Sequence, residues 1–366
     1  MNIVHVVGVG TIGAPLLGLL SRHKKEFGID EVTFHKNNPL KVDLANVLQF
    51  EDKGAILCTD REKFPSFRDL GLNPVYTREE AINRASVVID CTPKGVGLQN
   101  KKAYYVQYVD DEKGFIAQGS EFGFGKPYAY GINEEAFTKS DGFVHVVSCN
   151  THNLAILVKT LSRVGSVKKG NFVCIRRASD ISQDDDFSPG VEVDKHKDER
   201  FGTHHARDAF ELFKTLNRDA NAELYSSSCK INSQYMHTIH FNIEIEDTLC
   251  VSASSDSFKA ALLIALKENP YITLTHKTTS NRVFSFGRDH GHYGRILTHT
   301  VMSLPTLQIT EIFPRRYRVT GFCFTPQDGN SLMSSMASAL WFLSEKNWDI
   351  VKNKMKCLSK YIFASV

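Results

Sequence analysis

Three stretches of this 366-residue chain predict an α/β protein built from two domains. At the N-terminus a short apolar strand, Ile3-Val4-His5-Val6-Val7, runs into Gly8-Val9-Gly10-Thr11-Ile12-Gly13 and then into the helical spacing of Leu16, Leu17, Leu19 and Leu20. Near the middle, Phe143-Val144-His145-Val146-Val147 leads into Ser148-Cys149-Asn150 and a second helical face, Leu154, Leu157, Val158 and Leu161. Further on, Tyr235 to Ile245 alternates residue by residue, the pattern of a long antiparallel-type strand. The first two predict a parallel sheet with crossover helices, over 1–149 and about 328–366. The third predicts an α+β domain on a mainly antiparallel sheet, over about 150–327.

Composition bounds the partners. The chain is 42% hydrophobic and 23% charged, ordinary for a globular protein, and its formal charge of +3 gives no electrostatic case for nucleic acid. Eight cysteines show no CxxC pair or other metal-ligand spacing, so no metal is expected and the thiols read as reduced. Met1 leads straight into a strand, without a signal-peptide pattern, and no apolar run reaches membrane-spanning length. The expectation is a cytoplasmic protein with no membrane and no nucleic-acid partner.

The glycine motif lies between a strand and a helix, the context that makes it a Rossmann-type dinucleotide-binding fingerprint. Gly8 permits the tight turn, Gly10 lets a pyrophosphate approach the backbone, and Gly13 allows close helix–strand packing. The second strand, Val32 to His35, ends in His35-Lys36-Asn37-Asn38 without a carboxylate for a ribose 2′-hydroxyl. Lys36 suits a 2′-phosphate, so NADP is expected to be accepted alongside NAD; a solvated loop charge is the plain alternative. Helices and a short strand fill 41–85. Val87 to Asp90 is the next strand, Asn100 to Val109 reads as helix, and Phe115 to Gly119 as a strand ending in glycine on the cofactor side.

Cys149 then falls at a strand end, just before a helix N-terminus, where unpaired amides and the helix dipole favour a thiolate. A buried inert cysteine is the commoner case, but the polar Asn150-Thr151-His152-Asn153 argues for a nucleophile. Phe172 to Arg177 is a strand whose two arginines face opposite sides, so only one of Arg176 and Arg177 can enter a given pocket. Asp180 to Arg200 is polar, without periodicity, and reads as an exposed excursion. Thr203-His204-His205 could bind an anion, could bind a metal if a third ligand converged, or could be an ordinary exposed loop. On the alternating strand, His237 shares the apolar face with Tyr235, Ile239, Phe241 and Ile243. A histidine there is more often a satisfied core residue than a catalyst, but if that face meets the active-site cleft at its end, burial would keep its ring neutral for base work. Residues 259–267 and 331–345 read as helices, Leu304 to Phe313 and Tyr317 to Phe324 as strands, and the final helices, 331–362, are expected to return to the first domain.

Taken together, Gly8-x-Gly10-Thr11-Ile12-Gly13, Val88 to Gly97, Gln118-Gly119, Val146 to Thr151, Arg176-Arg177-Ala178-Ser179-Asp180, Thr203-His204-His205 and Tyr235-Met236-His237 resemble, in this order, the archaeal-type (type II) glyceraldehyde-3-phosphate dehydrogenases. The resemblance covers most of the first 245 residues. It implies a phosphorylating aldehyde dehydrogenase of central carbon metabolism, a homotetramer using NADP or NAD, with a phosphorylated aldehyde and inorganic phosphate as substrates. It implies Cys149 as nucleophile and His237 as the base that activates it. It places Ser148, Asn150 and Thr151 at the substrate, and Thr11, Ile12, Gly119 and Arg177 at the cofactor. His204 and His205, with Arg176, would hold phosphate. His152-Asn153 stands where the family usually has a small pair, and Thr320 near the place of an expected cofactor-contacting glutamine. Two rival readings remain at this level: a related thioester-forming semialdehyde or acyl-phosphate reductase, and a non-catalytic dinucleotide-binding scaffold.

Overall fold

The computed structural model describes residues 1–108, 112–179, 189–216, 222–248, 254–326 and 328–366. The chain divides into two compact units. Unit 1 holds 1–130, 137–147 and 331–359; unit 2 holds 131–136, 148–330 and 360–366.

Unit 1 begins with β1 (Ile3–Val7), α1 (Gly13–Arg22), α2 (Lys24–Phe27) and β2 (Glu31–His35). It continues through α3 (Leu44–Asp52), β3 (Ala55–Cys58), α4 (Phe64–Arg68), α5 (Arg78–Arg84), β4 (Val87–Asp90) and α6 (Val96–Asn100). The strands β5 (Gly114–Gln118), β6 (Lys126–Tyr128) and β7 (Phe143–Val146) complete a seven-stranded sheet in the order β3-β2-β1-β4-β5-β7-β6. Every pair in it is parallel. Such strands are covered on both faces, which is why β1, β4 and β5 are buried along their whole length and are mostly apolar, with His5, Asp90 and Gln118 the buried polar exceptions.

Unit 2 opens with α7 (Cys149–Leu161), β8 (Ser166–Arg177), β9 (Glu192–Val193), α8 (His204–Lys214), β10 (Glu223–Ile231) and β11 (His237–Glu246). Then come α9 (Ser255–Glu268), β12 (Ile272–Thr275), α10 (Ser280–His290), β13 (Thr300–Ser303), β14 (Gln308–Phe313) and β15 (Arg316–Thr325). Its eight-stranded sheet runs β12-β13-β15-β11-β8-β10-β9, with β14 on β15. The β8–β10 and β12–β13 pairs are parallel and the rest antiparallel, as the mixed pattern of the sequence predicts. The alternation holds within β11, where Ile239, Phe241, Ile243 and Ile245 are fully buried and α7 packs across β8, β11, β13 and β15. The strand starts at His237, and Tyr235, expected on the same face, lies before it and is exposed. The opposite face is open. There Val173 and Phe322 flank His240 in register, and the His240 and Phe322 rings meet at 4.9 Å.

The chain closes with α11 (Gly329–Leu343) and α12 (Trp348–Met355). Within unit 1, Trp341 and Trp348 stack at 5.7 Å and, with Tyr128 and Phe137, form an aromatic cluster. Each such ring contributes about 1.5–3 kcal/mol by leaving water, which ties α11 and α12 to the parallel sheet, while the last residues, 360–366, belong to unit 2.

Several local expectations are corrected. The helix expected from Asn100 starts at Val96, then widens to a π turn over Lys101–Tyr105 and tightens over Val106–Tyr108; Val109 lies outside the described residues. The strand expected from Leu304 opens as a 3-10 turn, Leu304–Thr306, because Pro305 removes a ladder donor, and only Gln308–Phe313 pairs. Of the expected excursion, 180–188 lies outside the described residues. The part that follows is not free of structure: Glu192 and Val193 join the sheet edge as β9.

Candidate active site

The glycine loop of unit 1 has the shape of a phosphate cradle. Gly8 takes φ +85°, and a Cβ at Gly13 would lie 1.9 Å from the Gly8 carbonyl oxygen, so the helix start is pressed directly on the loop. A Cβ at Gly10 would meet nothing within 4 Å. The first turn of α1 has no acidic residue and no side-chain cap, which leaves its amides suited to an anion. Thr11 and Ile12, both half-buried, complete the loop. This cradle fits a dinucleotide pyrophosphate. Gly119 follows β5 with φ +74° and open space at its Cα; its carbonyl accepts a 2.7 Å bond from His145 Nε2–H. Lys36 follows β2, but its Nζ lies 2.6 Å from Asp43, so a ribose phosphate there would share the lysine with a resident carboxylate.

The thiol of unit 2 stands at the first residue of α7. Ser148 caps the helix: its Oγ accepts from Thr151 N–H at 3.3 Å and lies 2.8 Å from Thr151 Oγ1. Asn330 Nδ2 donates to the Cys149 carbonyl at 2.9 Å. Cys149 is half-buried, whereas Cys58, Cys174 and Cys323 are fully buried and desolvation pushes their thiols up, to about 12 for Cys58 and Cys323. Cys149 therefore has the access that a nucleophile needs and those three do not. No disulfide joins the described cysteines.

A short chain of bonds relates this turn to His237. Thr325, at the end of β15, donates to Asn150 Oδ1 at 3.1 Å and accepts from Asn153 Nδ2 at 3.0 Å. Thr325 is also the register partner of His237, so their side chains neighbour each other on one face of the sheet. The other side of the ring is fixed by β8: the Arg177 backbone N–H donates to His237 Nδ1 at 3.0 Å. An amide can only donate, so Nδ1 is bare and the neutral ring carries its proton on Nε2. Burial, with the charges of Arg177 and Arg176, holds the ring well below the usual histidine range. The sequence expectation was a base; this hydrogen bond instead presents an N–H donor.

The arginines part as strand alternation requires. Arg177 turns to Asp328, 3.4 Å away, both nearly buried. Arg176 turns to Asp194, with both carboxylate oxygens within 2.9 Å of Nη2. His204 and His205 are not loop residues; they open α8, with their rings 4.0 Å apart. Ser226 Oγ takes the capping position, accepting from Ala206 N–H at 3.0 Å. His205 is buried, neither ring nitrogen has a partner, and burial with the fields of His204, Arg176 and His237 keeps it well below its ordinary range. Arg176, His205 and His237 thus form one electrostatic neighbourhood at the start of a helix, which suits an anion. Among the described residues no group of three or more His, Cys, Asp and Glu has metal-ligand geometry.

His152 does not face this neighbourhood as a ligand. It is fully buried; its Nδ1–H donates to the Ser148 carbonyl at 3.0 Å and its ring packs 5.0 Å from His299. Sequence reasoning missed Thr325, Asn330, Asp328 and Asp194. None carries a local motif: strand pairing brings Thr325 to the site, and Asp194, Asp328 and Asn330 reach it from segments distant in sequence.

No family model matches the chain. It is similar to curated archaeal proteins named glyceraldehyde-3-phosphate dehydrogenase. The one from Pyrobaculum islandicum is 26% identical over 79% of this chain and 78% of the relative. That from Methanobacterium formicicum is 26% identical over 73% and 75%, and that from Pyrobaculum arsenaticum is 30% identical over 48% and 49%. No helix among the described residues is long and apolar enough to cross a membrane.

Proposed function

We propose a phosphorylating aldehyde dehydrogenase: the chain belongs to the archaeal-type glyceraldehyde-3-phosphate dehydrogenase family, and its residues offer each group that the reaction needs. The substrates would be D-glyceraldehyde 3-phosphate and inorganic phosphate, and the product 1,3-bisphosphoglycerate, a step of glycolysis or gluconeogenesis in the cytoplasm. The observation that carries the reading is Cys149 at the capped start of α7, related through Asn150 and Thr325 to the register position of His237.

Cys149 acts as thiolate. The positive end of α7 favours that form by about 0.3–1 kcal/mol, up to about 2 in a partly buried setting. The sulfur adds to the aldehyde carbon, and the resulting alkoxide meets the Nε2–H of His237. Such a donor is worth about 10²–10³ in rate when aimed at the developing oxyanion. Gly8, Gly10, Thr11, Ile12 and Gly13, with Lys36, Gly119 and Arg177, would hold NADP or NAD, which would supply the hydride acceptor when bound. Loss of hydride from the alkoxide leaves a thioester on Cys149, and no proton has to be removed in that step. Phosphate, bound among His204, His205 and Arg176, attacks the thioester carbon, and the thiolate departs. Ser148, Asn150 and Thr151 line the substrate side of the sulfur. For assembly we favour a homotetramer, with the open sheet face around Val173, His240 and Phe322 as one contact.

The test is reduction of NADP and of NAD by glyceraldehyde 3-phosphate, with and without phosphate. Turnover that requires phosphate supports the reading. Turnover with aspartate semialdehyde or N-acetylglutamate semialdehyde instead would make the chain a related reductase. Binding without any turnover would make it a scaffold.

A further inference from the structure

The charged segment before α8 carries a residue that the reaction above does not use. Asp194 follows β9 and is pinned twice to β10: its N–H donates to the Ser228 carbonyl at 2.9 Å, and Ser228 Oγ donates to its carboxylate. Held this way, both carboxylate oxygens accept from Arg176 Nη2, at 2.9 and 2.8 Å. The register places Arg176 beside Lys230 and Cys174 beside Ser228, so Arg176, Ser228 and Ser226 lie on one face of the sheet. That is the face on which Ser226 caps α8, and the face of His237. Arg176 is also the cation whose charge reaches both His205 and His237. His205 itself is buried, neutral and without a hydrogen-bond partner. The strongest cation of the anion site is therefore already engaged by a carboxylate of the same chain.

We propose that Asp194 is a specificity-determining residue of this site: it acts as an internal anion on Arg176 and sets the affinity for a phosphoryl dianion. The proposal rests on the functional reading above. A guanidinium offers planar, forked donors that match carboxylate and phosphate alike, so the two compete for one group. The pair is partly exposed, with side chains 31% and 39% accessible, so it is weak enough for a dianion to displace. Asp194 lowers affinity without closing the site, and it rejects weak monoanions that cannot outcompete a tethered carboxylate. The phosphoryl group could belong to inorganic phosphate or to the aldehyde, and separate titrations distinguish them.

The experiment is steady-state kinetics of wild type and Asp194→Asn, varying inorganic phosphate at saturating aldehyde and then the phosphorylated aldehyde at saturating phosphate. One of the two KM values should fall about two- to fivefold in D194N, with KM for the dinucleotide unchanged. Ser228→Ala keeps the charge but removes one anchor, and should move the same KM the same way by a smaller factor. If both KM values rise, Asp194 positions Arg176 for binding and the proposal is overturned; if neither moves, Arg176 plays no part and it is overturned too. A wild type whose turnover ignores phosphate, with both variants alike, removes the functional reading and the proposal together.

Discussion

Two helices of this chain start from almost the same local plan and are finished differently. Both α1 and α7 follow a buried parallel strand, and each begins within a few residues of it. At α1 the turn is glycine, the helix has no side-chain cap, and the Gly10 position is open to at least 4 Å. At α7 the turn is Ser148, which caps the helix and leaves one reactive atom, Cys149 Sγ, at the first position. An open helix start offers its amides to a bound phosphate; a capped one lends its dipole to its own side chain. On the proposed reading, the same backbone device would serve binding in one unit and chemistry in the other.

Substitutions at five positions break this contrast, beginning with the largest effect. Cys149→Ala should remove dehydrogenase turnover by roughly 10⁶-fold while dinucleotide binding stays intact. Residual turnover within 100-fold of wild type would put the chemistry elsewhere. His237→Ala should cost about 10²–10³ in kcat, while His237→Gln, which returns an N–H near Nε2 but no base, should recover much of it. A glutamine variant as poor as alanine would restore the base assignment. Because the ring is held well below the usual histidine range, it stays neutral as pH falls through 6.5. The acylation rate of wild type should therefore show no imidazole limb near pH 6.5.

The glycines separate packing from binding. Gly13→Ala drives a Cβ against the Gly8 carbonyl and should destabilise unit 1 by about 1–3 kcal/mol, read as a lower melting temperature. Gly10→Ala should leave melting unchanged but weaken the dinucleotide by about tenfold in Kd. Equal melting losses in both would mean that the loop is only structural. Last, Ser148→Ala removes the α7 cap and should cost about 1 kcal/mol of stability. Unaltered melting would show that Thr151 and His152 secure the turn without it.

What could be read without coordinates follows from the range of the forces involved. Strand–turn–helix units are local, so Gly8 to Gly13 and Ser148 to Asn150 were legible, as was the face shared by His237, Ile239, Phe241 and Ile243. The start of α8 was less so, because Thr203 does not cap it; the cap comes from Ser226 on a distant strand. The tautomer of His237 depends on an amide sixty residues away, and Thr325 reaches Asn150 across 175 positions. Asp194 lay hidden in a charged run, where most residues are simply solvated. Side chains recruited by sheet register carry no signal in their own neighbourhood.

The central claim is that Cys149 carries the acyl group. Incubating the protein with glyceraldehyde 3-phosphate and oxidised dinucleotide, without phosphate, and then mapping its peptides by mass spectrometry tests this directly. The account predicts a phosphoglyceroyl adduct on the peptide containing Cys149, which disappears when inorganic phosphate is added. An adduct on another cysteine, or reduced dinucleotide formed with no adduct at all, would contradict it.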